Sequence, residues 1–213
     1  MIKNKFKVCI YNIYNPNKVI KFLIINRKIF FNVLFLILFN FKGFSQGNNY
    51  NCSIKNVIAT SPSSLEFDIF IEWTGTNAQK FTFFQAGINF NYVGMCNGGI
   101  INGSFKPGSA DASLPSIQQK ANWEINQSSK QIRLRSAIAG DTIAISIPPP
   151  PGIKLGTFIM SNTVPFTKSE KPNFAWSFSN GSSSTTKTKV AAYVNNAVLP
   201  IDITIPKNHL VIK

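Results

Sequence analysis

From Ser64 onward, Leu65, Phe67, Ile69, Ile71 and Trp73 alternate with Glu66, Asp68, Phe70, Glu72 and Thr74. Strict period two over this stretch predicts a strand with one face in a core, and Gly75-Thr76-Asn77 supplies the turn chemistry that ends it. The run from Phe81 to Tyr92 predicts a second strand whose phase changes. Phe81 and Phe83 are odd, whereas Phe84, Ala86, Ile88 and Phe90 are even, so one extra residue, a β-bulge, is expected near Phe83 and Phe84. A Gly-rich stretch from Gly94 to Gly108 holds a short strand near Ile100 to Phe105. Trp123 and Ile125 lead through Asn126-Gln127-Ser128-Ser129-Lys130 to Ile132, Leu134 and Ile138, with Arg133 and Arg135 between them, which reads as a hairpin. Ile143, Ile145 and Ile147 form another strand, terminated by Pro148 to Pro151 because prolines donate no backbone hydrogen bond.

Later strands are expected at Leu155 to Ser161, Phe174 to Ser179, Lys189 to Asn195 and Ile201 to Ile205. No window carries a sustained helical repeat, and short strands separated by Gly, Pro, Asn and Ser turns indicate an all-β sandwich. Its expected core is Leu65, Phe67, Ile69, Ile71, Trp73, Ile88, Phe90, Leu134, Phe158, Trp176 and Phe178.

Charge changes the picture at the N-terminus. The chain of 213 residues carries a formal net charge of +14, which on its face suggests nucleic acid or an anionic membrane. Residues 1–45, however, hold Lys3, Lys5, Lys7, Lys18, Lys21, Arg27, Lys28 and Lys42 and no acid. A basic segment, the apolar run Ile29 to Phe41 and then Gly43-Phe44-Ser45-Gln46 follow the order of an export signal, with a cut after Ser45 that makes Gln46 the new N-terminus. A helix as short as that run spans about 20 Å against the ~30 Å of a bilayer's hydrocarbon, so no membrane span is expected after cleavage. The rest, 46–213, is expected to be a single domain of ordinary charge with no nucleic-acid partner. Cys52 and Cys96 would then share an oxidising compartment. A bridge between them would close a loop of about 45 residues, worth roughly 4 kcal/mol; the other reading is a small buried Cys52 at a strand start and a free Cys96 thiol in a loop.

Candidate chemistry is sparse. His209 is the one histidine of the chain, which tells against a Ser-His-Asp or Cys-His catalyst, and the cysteine spacing does not support zinc. Glu66, Asp68 and Glu72 share one strand face about 7 Å apart and read as a solvated face. The same acids, or Asp111 in its Gly-Ser-Ala-Asp loop, would be the ligands if calcium stabilised the domain. Trp73 and Trp176 are in phase with core residues, which leaves Phe70, Tyr92 and Trp123 as the exposed aromatics for a carbohydrate platform. No cofactor is expected, and no catalytic residue.

The blocks Ser64-Leu65-Glu66-Phe67-Asp68-Ile69-Phe70-Ile71-Glu72-Trp73-Thr74-Gly75, Phe84-Gln85-Ala86-Gly87-Ile88-Asn89-Phe90-Asn91-Tyr92 and Leu155-Gly156-Thr157-Phe158 resemble the cohesin-like domain near the N-terminus of large surface proteins exported by the bacterial type IX secretion system. The resemblance runs from about Asn51 to Val211. It implies a jelly-roll sandwich similar in fold to carbohydrate-binding modules. It also implies a non-catalytic extracellular binding or adhesion module at the cell surface or in the periplasm, whose ligand is a surface protein or a polysaccharide. Because proteins of that kind continue for hundreds of residues to a sorting domain, the chain is expected to be a piece of a larger protein.

Overall fold

A computed structural model of the chain describes residues 50–75, 79–120, 122–179, 185–194 and 197–212. The export signal and its cut between Ser45 and Gln46 lie outside the described residues. Thirteen elements follow one another: β1 (Tyr50–Ser61), β2 (Ser64–Trp73), β3 (Lys80–Asn89), the short helix α1 (Tyr92–Cys96), β4 (Ile101–Phe105), β5 (Asn122–Asn126), β6 (Gln131–Arg135), β7 (Ile145–Ser146), β8 (Ile153–Asn162), β9 (Ala175–Trp176), β10 (Lys189–Tyr193), β11 (Ile201–Asp202) and β12 (His209–Val211). Single 3₁₀ turns lie at Gln118–Lys120 and Pro206–Asn208.

Among the described residues the strands form two sheets. The first runs β12-β1-β2-β8-β4 and the second β11-β10-β3-β6-β5, with β7 and β9 also paired to β3. Alternation explains why the sheets pack face to face. Leu65, Phe67, Ile69, Ile71 and Trp73 of β2 are buried on the inner side, and Ala86, Ile88, Ile132, Leu134, Trp123 and Ile125 answer them from β3, β6 and β5. These side chains belong to one continuous core. The architecture is the expected all-β sandwich.

The bulge in β3 falls close to its expected place. Ala191 lies opposite Phe83 and Ala192 opposite Phe81, so Thr82 is the extra residue and both Phe81 and Phe84 reach the core. Thr82 has its own partners off the ladder: its hydroxyl donates to the Ala139 carbonyl, and its carbonyl accepts from Ala139 N–H at 2.9 Å and from Gln118 Nε2 at 2.9 Å.

Four expected core or strand positions are corrected. Phe90, Trp176 and Phe178 are half-buried. β9 is only two residues long, and at Ser177 the backbone turns to donate to the Gly87 carbonyl at 2.8 Å. The Trp176 and Phe178 rings therefore cover His209 at the rim, with centroids 5.2 and 4.9 Å from it. Ile138, placed in phase with Leu134, is 66% exposed, because the chain leaves the sheet after Arg135 and Ala139 takes the buried position.

The sequence reading did not anticipate β12. It pairs in parallel with β1, setting His209 beside Cys52 and Val211 beside Ile54. His209 is 8% exposed. Its Nδ1 lies 3.0 Å from the Ile205 carbonyl, and the Tyr50 ring meets it edge-on at 5.6 Å. Burial pushes its pKa down to about 4, against the opposing effect of the hydrogen bond with Ile205.

Candidate functional site

The three aromatic candidates do not form a platform. Trp123 is 5% exposed, which corrects its placement on the surface: on β5 it shares the inner phase with Ile125, and its ring stacks on Phe158 of the opposite sheet at 6.0 Å and meets Phe105 edge-on at 5.0 Å. Gly156, at φ +149°, makes that packing possible, since a Cβ there would lie 2.4 Å from Phe105 and 3.0 Å from Trp123. Phe70 is half-buried with Lys55 Nζ 5.0 Å from its ring centroid. Tyr92, at the start of α1, packs on Phe90 at 5.7 Å. Lys130 Nζ sits 4.5 Å from its ring centroid, and its hydroxyl donates to Gln127 Oε1 at 3.4 Å. A face already covered by a cation of the same chain is a poor stacking surface for a sugar.

The acids of β2 are matched one for one with lysines. Glu66 pairs with Lys106 at 2.7 Å, Asp68 with Lys154 at 3.1 Å and Glu72 with Lys55 at 4.0 Å. Asp68 is 8% exposed and also accepts from Asn56 Nδ2 at 2.8 Å and from the Thr157 hydroxyl at 2.7 Å. Burial by itself would raise its pKa; the hydrogen bonds from Asn56, Thr157 and Lys154 outweigh that and hold it below the usual carboxylate value. This corrects the reading of a merely solvated face. The Asp111 carboxylate turns back onto Ser113, accepting from its N–H at 2.9 Å and its hydroxyl at 2.7 Å. Among the described residues no three metal-ligating side chains cluster.

Cys52 and Cys96 are both free thiols. Cys52 lies opposite Ile71, near the C-terminal end of β2. The Cys96 carbonyl instead accepts from Asn162, next to Ser161, which pairs with the first residue of β2. The two therefore sit at opposite ends of a ten-residue strand, far beyond the ~7 Å that a disulfide can bridge.

Among the described residues, a recess that can hold a ligand lies on the outer face of the second sheet. Across β3, β6 and β5, Gln85, Arg135 and Asn122 stand in one row and Gly87, Arg133 and Glu124 in the next. They alternate with the core rows Ala86, Leu134, Trp123 and Ile88, Ile132, Ile125. The segment Thr185–Thr188 crosses this face at Gly87. A Cβ on Gly87 would lie 1.7 Å from the Thr186 carbonyl oxygen, so only glycine permits the crossing. The segment is tied down by Gln85 Nε2 to the Lys187 carbonyl at 2.9 Å, Thr186 N–H to Gln131 Oε1 at 2.8 Å, and Arg133 Nε to the Thr186 hydroxyl at 2.8 Å.

The strap and the sheet enclose a polar groove of about 330 Å³ lined by Gln85, Asn122, Glu124, Arg133, Arg135 and the residues 185–187. Arg133 Nη1 pairs with Glu124 at 3.2 Å. Arg135 and Lys187 have no side-chain hydrogen bond or ion pair among the described residues. None of these residues was singled out as a ligand contact from the sequence. The signal was the alternation of Arg133 and Arg135 with Ile132 and Leu134, which sends both guanidinium groups to one outer face.

No protein-family model matches the sequence, and no curated protein matches it. Among solved structures the chain is similar to two of the second type II cohesin module of the adaptor ScaA scaffoldin of Acetivibrio cellulolyticus. One, which includes a long C-terminal linker, has a TM-score of 0.46 at 10% identity over 77% of this chain and 86% of that one. The other has a TM-score of 0.44 at 12% identity over 80% and 95%. Likeness at that level carries no inference about this chain, whose fold rests on its own strand register.

Proposed function

We propose that the domain is a non-catalytic binding module that works outside the cell and holds its ligand on the outer face of the second sheet. The observation that carries this reading is the groove. Arg135 and Lys187, without side-chain partners among the described residues, stand on a surface whose wall is fixed by three hydrogen bonds and a glycine crossing. A preorganised polar recess is what non-covalent recognition needs, because little ordering is left to oppose binding. The basic leader and apolar run of residues 1–45 support an extracellular or periplasmic place. Among the described residues no helix is long and apolar enough to cross a membrane. The type IX route belongs to the same reading and rests on the sequence blocks alone.

Binding of the exported chain to a glycan array and to an immobilised surface-protein fraction tests the proposal. Asn122→Trp, which fills the groove, is expected to abolish retention, and Tyr92→Ala to leave it intact. Retention lost in Tyr92→Ala and kept in Asn122→Trp would move the site to α1 and overturn the reading. N-terminal sequencing of the exported chain is expected to begin at Gln46.

A further inference from the structure

We propose that this groove takes a carboxylate-bearing saccharide, a uronic-acid unit of an acidic polysaccharide. The inference rests on the outer face of the second sheet being the binding face.

Charge comes first. Arg133 and Arg135 occupy alternate positions of β6, about 7 Å apart along the strand, and Lys187 faces the same recess from the strap. Glu124 is the single acid in the lining and is already paired with Arg133. The recess therefore keeps an excess of two positive charges, those of Arg135 and Lys187. A guanidinium presents parallel N–H donors that fit both oxygens of a carboxylate, and an ammonium adds a point charge beside them.

The remainder of the lining is amide and hydroxyl. Gln85 and Asn122 flank Arg135 in register across the sheet, and Thr186 lies beside Arg133. Such groups serve as donors and acceptors for ring hydroxyls on either side of the acid. Size and polarity then separate a saccharide from an acidic polypeptide. About 330 Å³ is at the small end of the range for compact ligands. A protein partner would need a far wider patch with aromatic or aliphatic anchors at its centre, and among the described residues no apolar side chain lines this recess.

Equilibrium binding of the exported chain to immobilised polygalacturonate, its neutral methyl ester, polyglutamate and dextran sulfate tests the proposal. At physiological salt the polygalacturonate is expected to bind at least tenfold more tightly than the other three. Arg135→Gln or Lys187→Gln, both at solvent-accessible positions, is expected to weaken it about tenfold. Polyglutamate bound as tightly would overturn the proposal in favour of an acidic polypeptide, and dextran sulfate bound as tightly would reduce the effect to bulk charge. Absence of polygalacturonate binding, or indifference to both substitutions, also overturns it. If the methyl ester binds as well as the acid and Asn122→Trp abolishes both, the acidic ligand is wrong and the binding face stands. If every polymer is indifferent to Arg135→Gln and to Asn122→Trp, both readings fall.

Discussion

The two outer faces of the sandwich use their charges in opposite ways. On β2 each carboxylate has a lysine, and Asp68 has two further hydrogen bonds. On β6 and the strap, one arginine has a carboxylate and the other two cations have none among the described residues. A charge that is matched inside its own fold contributes to stability and has little left to offer a ligand. A charge held in place without a partner does the reverse. Hence a row of acids on one strand, conspicuous in the sequence, is structural, whereas two arginines alternating with isoleucine and leucine mark the face proposed for recognition.

Substitutions separate the two uses, and the largest effect lies in the layer that both faces cover. Trp123→Ala removes a ring packed between Phe105 and Phe158 and is expected to cost about 4 kcal/mol, seen as a lower urea midpoint. Unchanged stability with lost ligand binding would return Trp123 to the surface. Next comes His209. Its folded pKa of about 4 lies below the ordinary 6.5, so the unfolded chain binds the proton more readily. Stability is then full above pH 6.5 and declines as pH falls towards 4, by up to roughly 3 kcal/mol. His209→Leu is expected to flatten that part of the pH–stability curve; a slope that survives would place the titration elsewhere.

On the matched face, Asp68→Ala leaves Lys154, Thr157 and Asn56 without their acceptor and is expected to cost about 2 kcal/mol in chemical denaturation. Because the folded pKa of Asp68 is lowered, its contribution is present above the ordinary carboxylate pKa and is lost only as pH falls through the lower folded value. This places the acid loss of Asp68 beneath the window of His209. On the open face, Arg135→Ala is expected to change stability by less than about 0.5 kcal/mol, the smallest effect of the four. A cost comparable to that of Asp68→Ala would mean that Arg135 is structural too, and the contrast between the faces would fail.

What the sequence made legible follows the length of each pattern. β2 shows ten residues of alternation and was readable to within a residue, as was the bulge at Thr82, because a phase slip is a local signal. β1 was legible only as a strand start at Cys52: its buried alternation covers only Tyr50, Cys52 and Ile54 before the exposed residues begin at Asn56. β12 is three residues long and α1 five, too short for any period to register. Trp123 was misplaced although Ile125, two residues on, carried the correct phase. The strap was beyond reach for a different reason, since its contact with Gly87 joins residues about a hundred positions apart and no local pattern announces a crossing.

The parallel seam between β1 and β12 bears on the order in which the chain can assemble. The Tyr50 hydroxyl oxygen accepts from the Ile205 N–H, 155 residues away, at 3.1 Å, and His209–Val211 completes the edge beside it. A polypeptide made from its N-terminus has the first strand waiting while nearly every other element is added, and pairing across so long a loop is among the slowest steps in reaching a native sheet. Until the seam closes, β1 offers a row of unpaired backbone groups on that side. β12 therefore acts as a fastener, drawn shut only after the strands between it and β1 are in place.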